Sequence, residues 1–175
     1  MKDLSMHIMD ILQNSTRAGA TTIELQILED TDTDKLTIVF KDNGSGMSEE
    51  VLSQVLNPFF TTRTTRKVGL GLSLLKQNAE LTGGSLEITS TLGVGTEVTV
   101  TFGLSHLDRP PMGDLAGTVV LTASAYPNIR FIVHYKTSKI DYIFDTDEIN
   151  EALDGVSIQE PDIIQYLIEM FRENM

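Results

Sequence analysis

Apolar residues recur every three to four positions at the start of the chain, and at every second position soon after. Leu4, Ile8, Ile11 and Leu12 fall on one face at helical spacing, which predicts a helix over 3–18. His7, Asp10, Asn14 and Arg17 form a second, polar stripe on it, and Gly19 suits its end. Ile23, Leu25 and Ile27 alternate with other residues and predict a strand over 22–29. An acidic turn from Asp30 to Asp34 leads to a returning strand over 35–41. A short helix is expected from about Ser48 to Leu56, capped by Ser48 and favoured by Glu49 and Glu50 at its positive end. Residues 58–68 read as a polar, cationic, irregular stretch, followed by a longer helix over 70–81 that Gly83-Gly84 ends. Residues 85–91 and 96–102 read as a second hairpin across Leu92-Gly93-Val94-Gly95. Pro110-Pro111 marks a linker or rigid crossover. Beyond it, strands are expected at 118–125, 129–136 and 139–145, then helices at 146–153 and 160–173.

Length allows one domain, or a domain with an appendage: the chain has 175 residues, and domains near 150 residues hide roughly two-thirds of their unfolded surface. The formal net charge of −12 argues against nonspecific binding to nucleic acid or an anionic membrane, both of which need cationic surface. With no cysteine, disulfides and thiolate metal sites are excluded, and three scattered histidines make a poor zinc site. No apolar run approaches the roughly 18 residues that span a bilayer, and the first residues lack a signal-peptide pattern, so a cytoplasmic location is expected.

The chemistry concentrates in a few short stretches. Asp42-Asn43-Gly44-Ser45-Gly46-Met47 places a carboxylate just ahead of a turn that two glycines keep free of side chains. By itself Asn43-Gly44 is a common hairpin-turn signal. Asp10 and Asn14 are four apart, hence neighbours on one helix face, and Arg17 lies a turn further along. Pro58-Phe59-Phe60-Thr61-Thr62 precedes Arg63-Thr64-Thr65-Arg66-Lys67, whose three cations stand out in so acidic a chain. Gly69-Leu70-Gly71-Leu72 is expected to open a helix, where backbone amides bind anions. Gly93-Val94-Gly95-Thr96 closes the series. Neither G-x-G-x-x-G nor the P-loop pattern occurs.

In that order and rough spacing, these elements resemble the ATP-binding domain shared by gyrase, MutL and the histidine kinases, called the GHKL or Bergerat fold. The resemblance covers about residues 5–102. It implies an α+β, two-layer α/β sandwich, here over 1–104, with 105–175 as a small α+β extension of unassigned role. It implies ATP and Mg²⁺ as ligands, with Asn14 on the metal, Asp42 on the adenine amine, Gly44 and Gly46 allowing close approach to the purine, and Thr96 assisting the same edge. Arg17, Lys67, Gly69, Gly71 and Leu72 match the phosphate side of such sites. Asp10 stands where gyrase and MutL carry the glutamate that activates water, and it is one methylene shorter. Lys67 occupies a place where many members have another glycine.

Two function classes follow from the resemblance. One is an ATP-dependent phosphotransferase or slow ATPase of histidine kinase-like type, acting on a separate protein in signal transduction. The other is a nucleotide-sensing interaction module that binds ATP or ADP with negligible turnover, which the shorter Asp10 favours. Only six residues precede His7, so the phosphoaccepting hairpin of a histidine kinase is not expected in this sequence. The helix bearing Asn14 starts where the family usually has earlier sheet structure, so the sheet lacks a strand. The tail is therefore expected to pack on the ATP-binding domain, or on a second subunit of a homodimer.

Overall fold

Alternation and helical spacing place most elements of the fold, and the computed structural model describes them over residues 3–57 and 66–175. The order is α1 (Leu4–Arg17), β1 (Thr22–Asp30), β2 (Lys35–Asp42), α2 (Glu49–Gln54), α3 (Arg66–Leu81), β3 (Ser85–Thr91) and β4 (Gly95–Gly103), then α4 (Leu115–Ala125), β5 (Arg130–Lys136), β6 (Asp141–Asp145), α5 (Thr146–Leu153) and α6 (Pro161–Glu173). Asp3 caps α1 through the Met6 N–H, and Ser48 caps α2 through the Val51 N–H.

The strands form one six-stranded sheet in the order β3-β4-β2-β1-β5-β6. All neighbours are antiparallel except β1 and β5, which run parallel with Thr22 opposite Arg130 and Leu28 opposite Lys136. Ile23, Leu25, Ile27, Ile38, Phe40, Val98, Val100, Phe131, Val133 and Phe144 point from the sheet to one side. There they meet Leu4, Ile8, Ile11 and Leu12 of α1, Leu72 and Leu75 of α3, Val119 and Val120 of α4, and Leu167 and Phe171 of α6. Those side chains are almost wholly removed from solvent and make up one core between a sheet layer and a helix layer.

The tail thus joins the sheet. Strand β5 pairs with β1 along the edge that β2 leaves free, so that edge is covered. The crossover at Pro110-Pro111 is also tied down: the Pro111 and Met112 carbonyls accept the N–H groups of Leu4 and Ser5, donors that a helix start leaves unsatisfied.

Two expectations change. The segment expected as a strand over 118–125 is the helix α4. Its run of Thr, Val and Leu is apolar on all sides because it is buried on nearly all sides, and such a run has no period to separate strand from helix. The Gly69–Leu72 stretch does not open its helix, since α3 is already formed at Arg66. Among the described residues, no helix is long and apolar enough to cross a membrane.

Candidate functional site: a cavity over Asp42

Strand β2 ends at Asp42, which faces the helix layer in the same row as Ile23, Thr96 and Ser90. The loop after it is held from two sides. Toward α1, the Ala18 carbonyl accepts the Ser45 N–H at 2.8 Å, and Gly44 is buried against Ala18. The Asn43 side-chain oxygen accepts the N–H groups of Thr21 and Thr22 at 2.8 and 2.9 Å. Toward the β3–β4 turn, Gly93 N–H donates to the Ser45 carbonyl at 2.6 Å, and Met47 N–H donates to Ser90 Oγ at 2.8 Å. Gly46 has φ +67°, and a Cβ there would overlap the Thr91 carbonyl. The two glycines of this loop let it approach other protein backbone, a tighter demand than the open face expected from the sequence.

Both oxygens of Asp42 are oriented. Oδ1 accepts the Gly44 N–H at 2.9 Å, and Oδ2 accepts the hydroxyl of Ser15 at 2.6 Å. Each oxygen keeps a further lone pair. Ser15 is buried on α1 and was not singled out in the sequence. Its signal was there: it continues the apolar row of Leu4, Ile8, Ile11 and Leu12, where a hydroxyl must find a partner.

A cavity of about 430 Å³ opens over this carboxylate. Its apolar walls come from Ile11, Phe40, Met47, Leu72, Leu92 and Val98. Asn14, Ser15, Arg17, Asp42 and Thr96 supply polar groups. Asp42, Gly46, Asn14, Arg17, Leu72 and Thr96, all singled out in the sequence, therefore border one space. Arg17 Nη1 donates to Asn14 Oδ1 at 3.1 Å. Thr96 Oγ1 lies 2.8 Å from Ser90 Oγ.

Asp10 is half-buried and faces α3, where a Cβ on Gly71 would overlap its carboxylate. Glycine at 71 leaves the Asp10 carboxylate its place against α3; a larger residue there would displace it. Lys67 and Gly69 lie in the first turns of α3. The Pro58–Thr62 motif and Arg63 of the cationic stretch fall outside the described residues, while Arg66 and Lys67 are on α3. His7, on the same stripe as Asp10, is buried against α3, and its Nε2 lies 3.0 Å from the Asn78 amide nitrogen. Burial pulls its imidazole down to about 4 from the usual 6.5.

Residues 2–106 match the family described as histidine kinase-, DNA gyrase B- and HSP90-like ATPase. Sporulation kinase D of Bacillus subtilis is 37% identical over 94 residues, which are 54% of this chain and 18% of that protein. Sensor histidine kinase YvrG of the same organism is 28% identical over 97 residues, 53% of this chain and 17% of that one. The chain spans about a fifth of the length of such curated relatives. The ADP-bound MutL ATPase domain of Aquifex aeolicus superposes with a TM-score of 0.55 at 16% identity, covering 87% of this chain and 69% of that one, so the two share a fold. With a family match over more than half of its length and a sheet-and-helix architecture to go with it, this chain belongs to the histidine kinase-, DNA gyrase B- and HSP90-like ATPases and carries their ATP-binding domain.

Proposed function

We propose that the cavity over Asp42 binds Mg-ATP, and that the protein passes the terminal phosphoryl group to a separate partner protein or hydrolyses ATP slowly, in bacterial cytoplasmic regulation. Residues 1–104 would act as the nucleotide-binding unit and 105–175 as its extension. The observation that carries this reading is the orientation of Asp42. A carboxylate held by one donor on each oxygen, at an apolar cavity, offers fixed acceptors to the exocyclic amine of adenine. The cavity volume suits a small-molecule site, and its apolar walls suit the faces of a purine.

The polar end fits the rest of the nucleotide. The Asn14 carbonyl is a hard oxygen donor of the kind Mg²⁺ takes while keeping most of its waters. Bound Mg²⁺ would supply charge neutralisation on the phosphates. Arg17, which donates to that carbonyl and lines the same cavity, is a cation suited to phosphate oxygens. Lys67, Gly69 and Gly71 lie in the first two turns of α3, whose positive N-terminal end favours an anion. Asp10, fixed against α3 at Gly71, would accept a proton from water or from a partner hydroxyl.

A second reading is a nucleotide sensor without turnover. The shorter carboxylate at Asp10, where gyrase and MutL carry glutamate, favours it.

Calorimetry tests the site. Asp42→Asn leaves one oxygen for two donors and turns an amide toward the ligand. ATP affinity should fall about 10- to 150-fold, as expected for losing a hydrogen bond to a charged group. An unchanged affinity refutes the adenine assignment. Asp10→Asn should keep binding and lower turnover about 10²- to 10⁴-fold. Absence of any turnover in the parent protein, with binding intact, selects the sensor.

A further inference from the structure

Ser90, on β3 behind Thr96, is shared among three neighbours. Its Oγ accepts the Met47 N–H at 2.8 Å, donates to the Gly95 carbonyl at 3.1 Å and lies 2.8 Å from Thr96 Oγ1. A serine hydroxyl has one proton and two lone pairs. With its proton on the Gly95 carbonyl and one lone pair filled by Met47, the remaining lone pair takes the proton of Thr96. Thr96 Oγ1 is then left with lone pairs alone to present to the cavity it lines. Asp42, paired directly with Thr96 across β2 and β4, also presents lone pairs alone, because Ser15 and Gly44 are donors to it. Two adjacent points on the cavity wall are therefore acceptors with no proton to offer.

We propose that Ser90 is a specificity-determining residue: by taking the Thr96 proton, it makes this end of the cavity accept a purine with an amine at C6 and reject one with a carbonyl there. The inference rests on the nucleotide reading of the cavity. A 6-amino group donates to both acceptors. A 6-oxo group is itself an acceptor and meets lone pairs where the amine would donate, and the N1–H beside it can answer only one of the two acceptors. Sites built around fixed polar groups discriminate strongly between ligands that fill and that oppose them. Ser90 touches no ligand in this scheme; it acts through Thr96, and its second bond anchors the end of the Asp42 loop at Met47.

The test compares binding of Mg-ATP and of Mg-inosine triphosphate, which carries the carbonyl at C6. Titrations use the full chain, as parent, Ser90→Ala and Ser90→Thr. The parent should prefer ATP. Ser90→Ala frees the Thr96 hydroxyl to turn its proton into the cavity, so the ATP preference should drop about tenfold, the order of one hydrogen bond. Ser90→Thr keeps the hydroxyl and should keep the preference. Loss of the Met47 anchor alone would weaken both nucleotides together and leave their ratio unchanged, so the ratio separates proton direction from loop stability. A parent-like ratio in Ser90→Ala, or an alanine-like ratio in Ser90→Thr, overturns the role of Ser90 while leaving the ATP site intact. A parent chain that binds neither nucleotide overturns the nucleotide reading, and the role of Ser90 with it.

Discussion

Lowering the pH from 7 to 5 should destabilise this protein through one histidine. His7 is buried between α1 and α3, and the Asn78 amide donates to its Nε2, which fixes a neutral ring with its proton on Nδ1. Burial is the main cause of its low pKa of about 4, the N-terminal positive charge lowers it further, and Asp3 acts the other way. In the unfolded chain the ring titrates near 6.5. Between those values the unfolded state holds the proton and the folded state does not, so stability is complete above about pH 6.5 and falls as the pH drops toward 4. At 1.36 kcal/mol per pH unit, the whole gap corresponds to about 3 kcal/mol, of which about 2 kcal/mol is lost between pH 7 and 5. Urea denaturation of the parent and of His7→Gln at pH 7, 6 and 5 would measure it. Glutamine does not titrate and keeps an acceptor for Asn78. The parent should lose about 2 kcal/mol more than the variant across that range. Parallel pH profiles would refute the neutral, buried imidazole.

Asn14→Ala should weaken metal-dependent ATP binding and spare adenosine, which has no phosphates for a metal to bridge; equal losses for both ligands in calorimetry would make Asn14 structural. Deleting 105–175 should leave an insoluble or poorly folded fragment, because β1 loses β5 and the start of α1 loses the Pro111 and Met112 carbonyls. A monomeric, soluble 1–104 that binds ATP normally would contradict that.

Local patterns were readable where one face of an element is buried and the other is not. The stripe of α1 and the alternation of β1 and β2 gave those elements to within a residue or two. Helix α4 was misread because its sides are nearly all buried. Strand β5 was legible as a strand, but its partner was not, since nothing in 130–136 encodes which edge it joins. Within the candidate site, the side chains with charge or glycine character were legible by type. Ser15 was legible only as a hydroxyl on the buried row of α1 and Ser90 not at all, because the partner of each is on another element that spacing does not reveal.

The parallel pairing of β1 with β5 also sets an order of events in folding. Hairpin contacts such as β1 with β2 and β3 with β4 close short loops and can form early. Docking β5 beside β1 joins segments far apart in the chain, and such non-local contacts slow folding. During synthesis, β1 emerges with its edge unpaired and stays so until β5 has left the ribosome. The nascent chain is therefore exposed to aggregation along β1 until β5 has emerged, and refolding should be limited by the step in which β5 arrives.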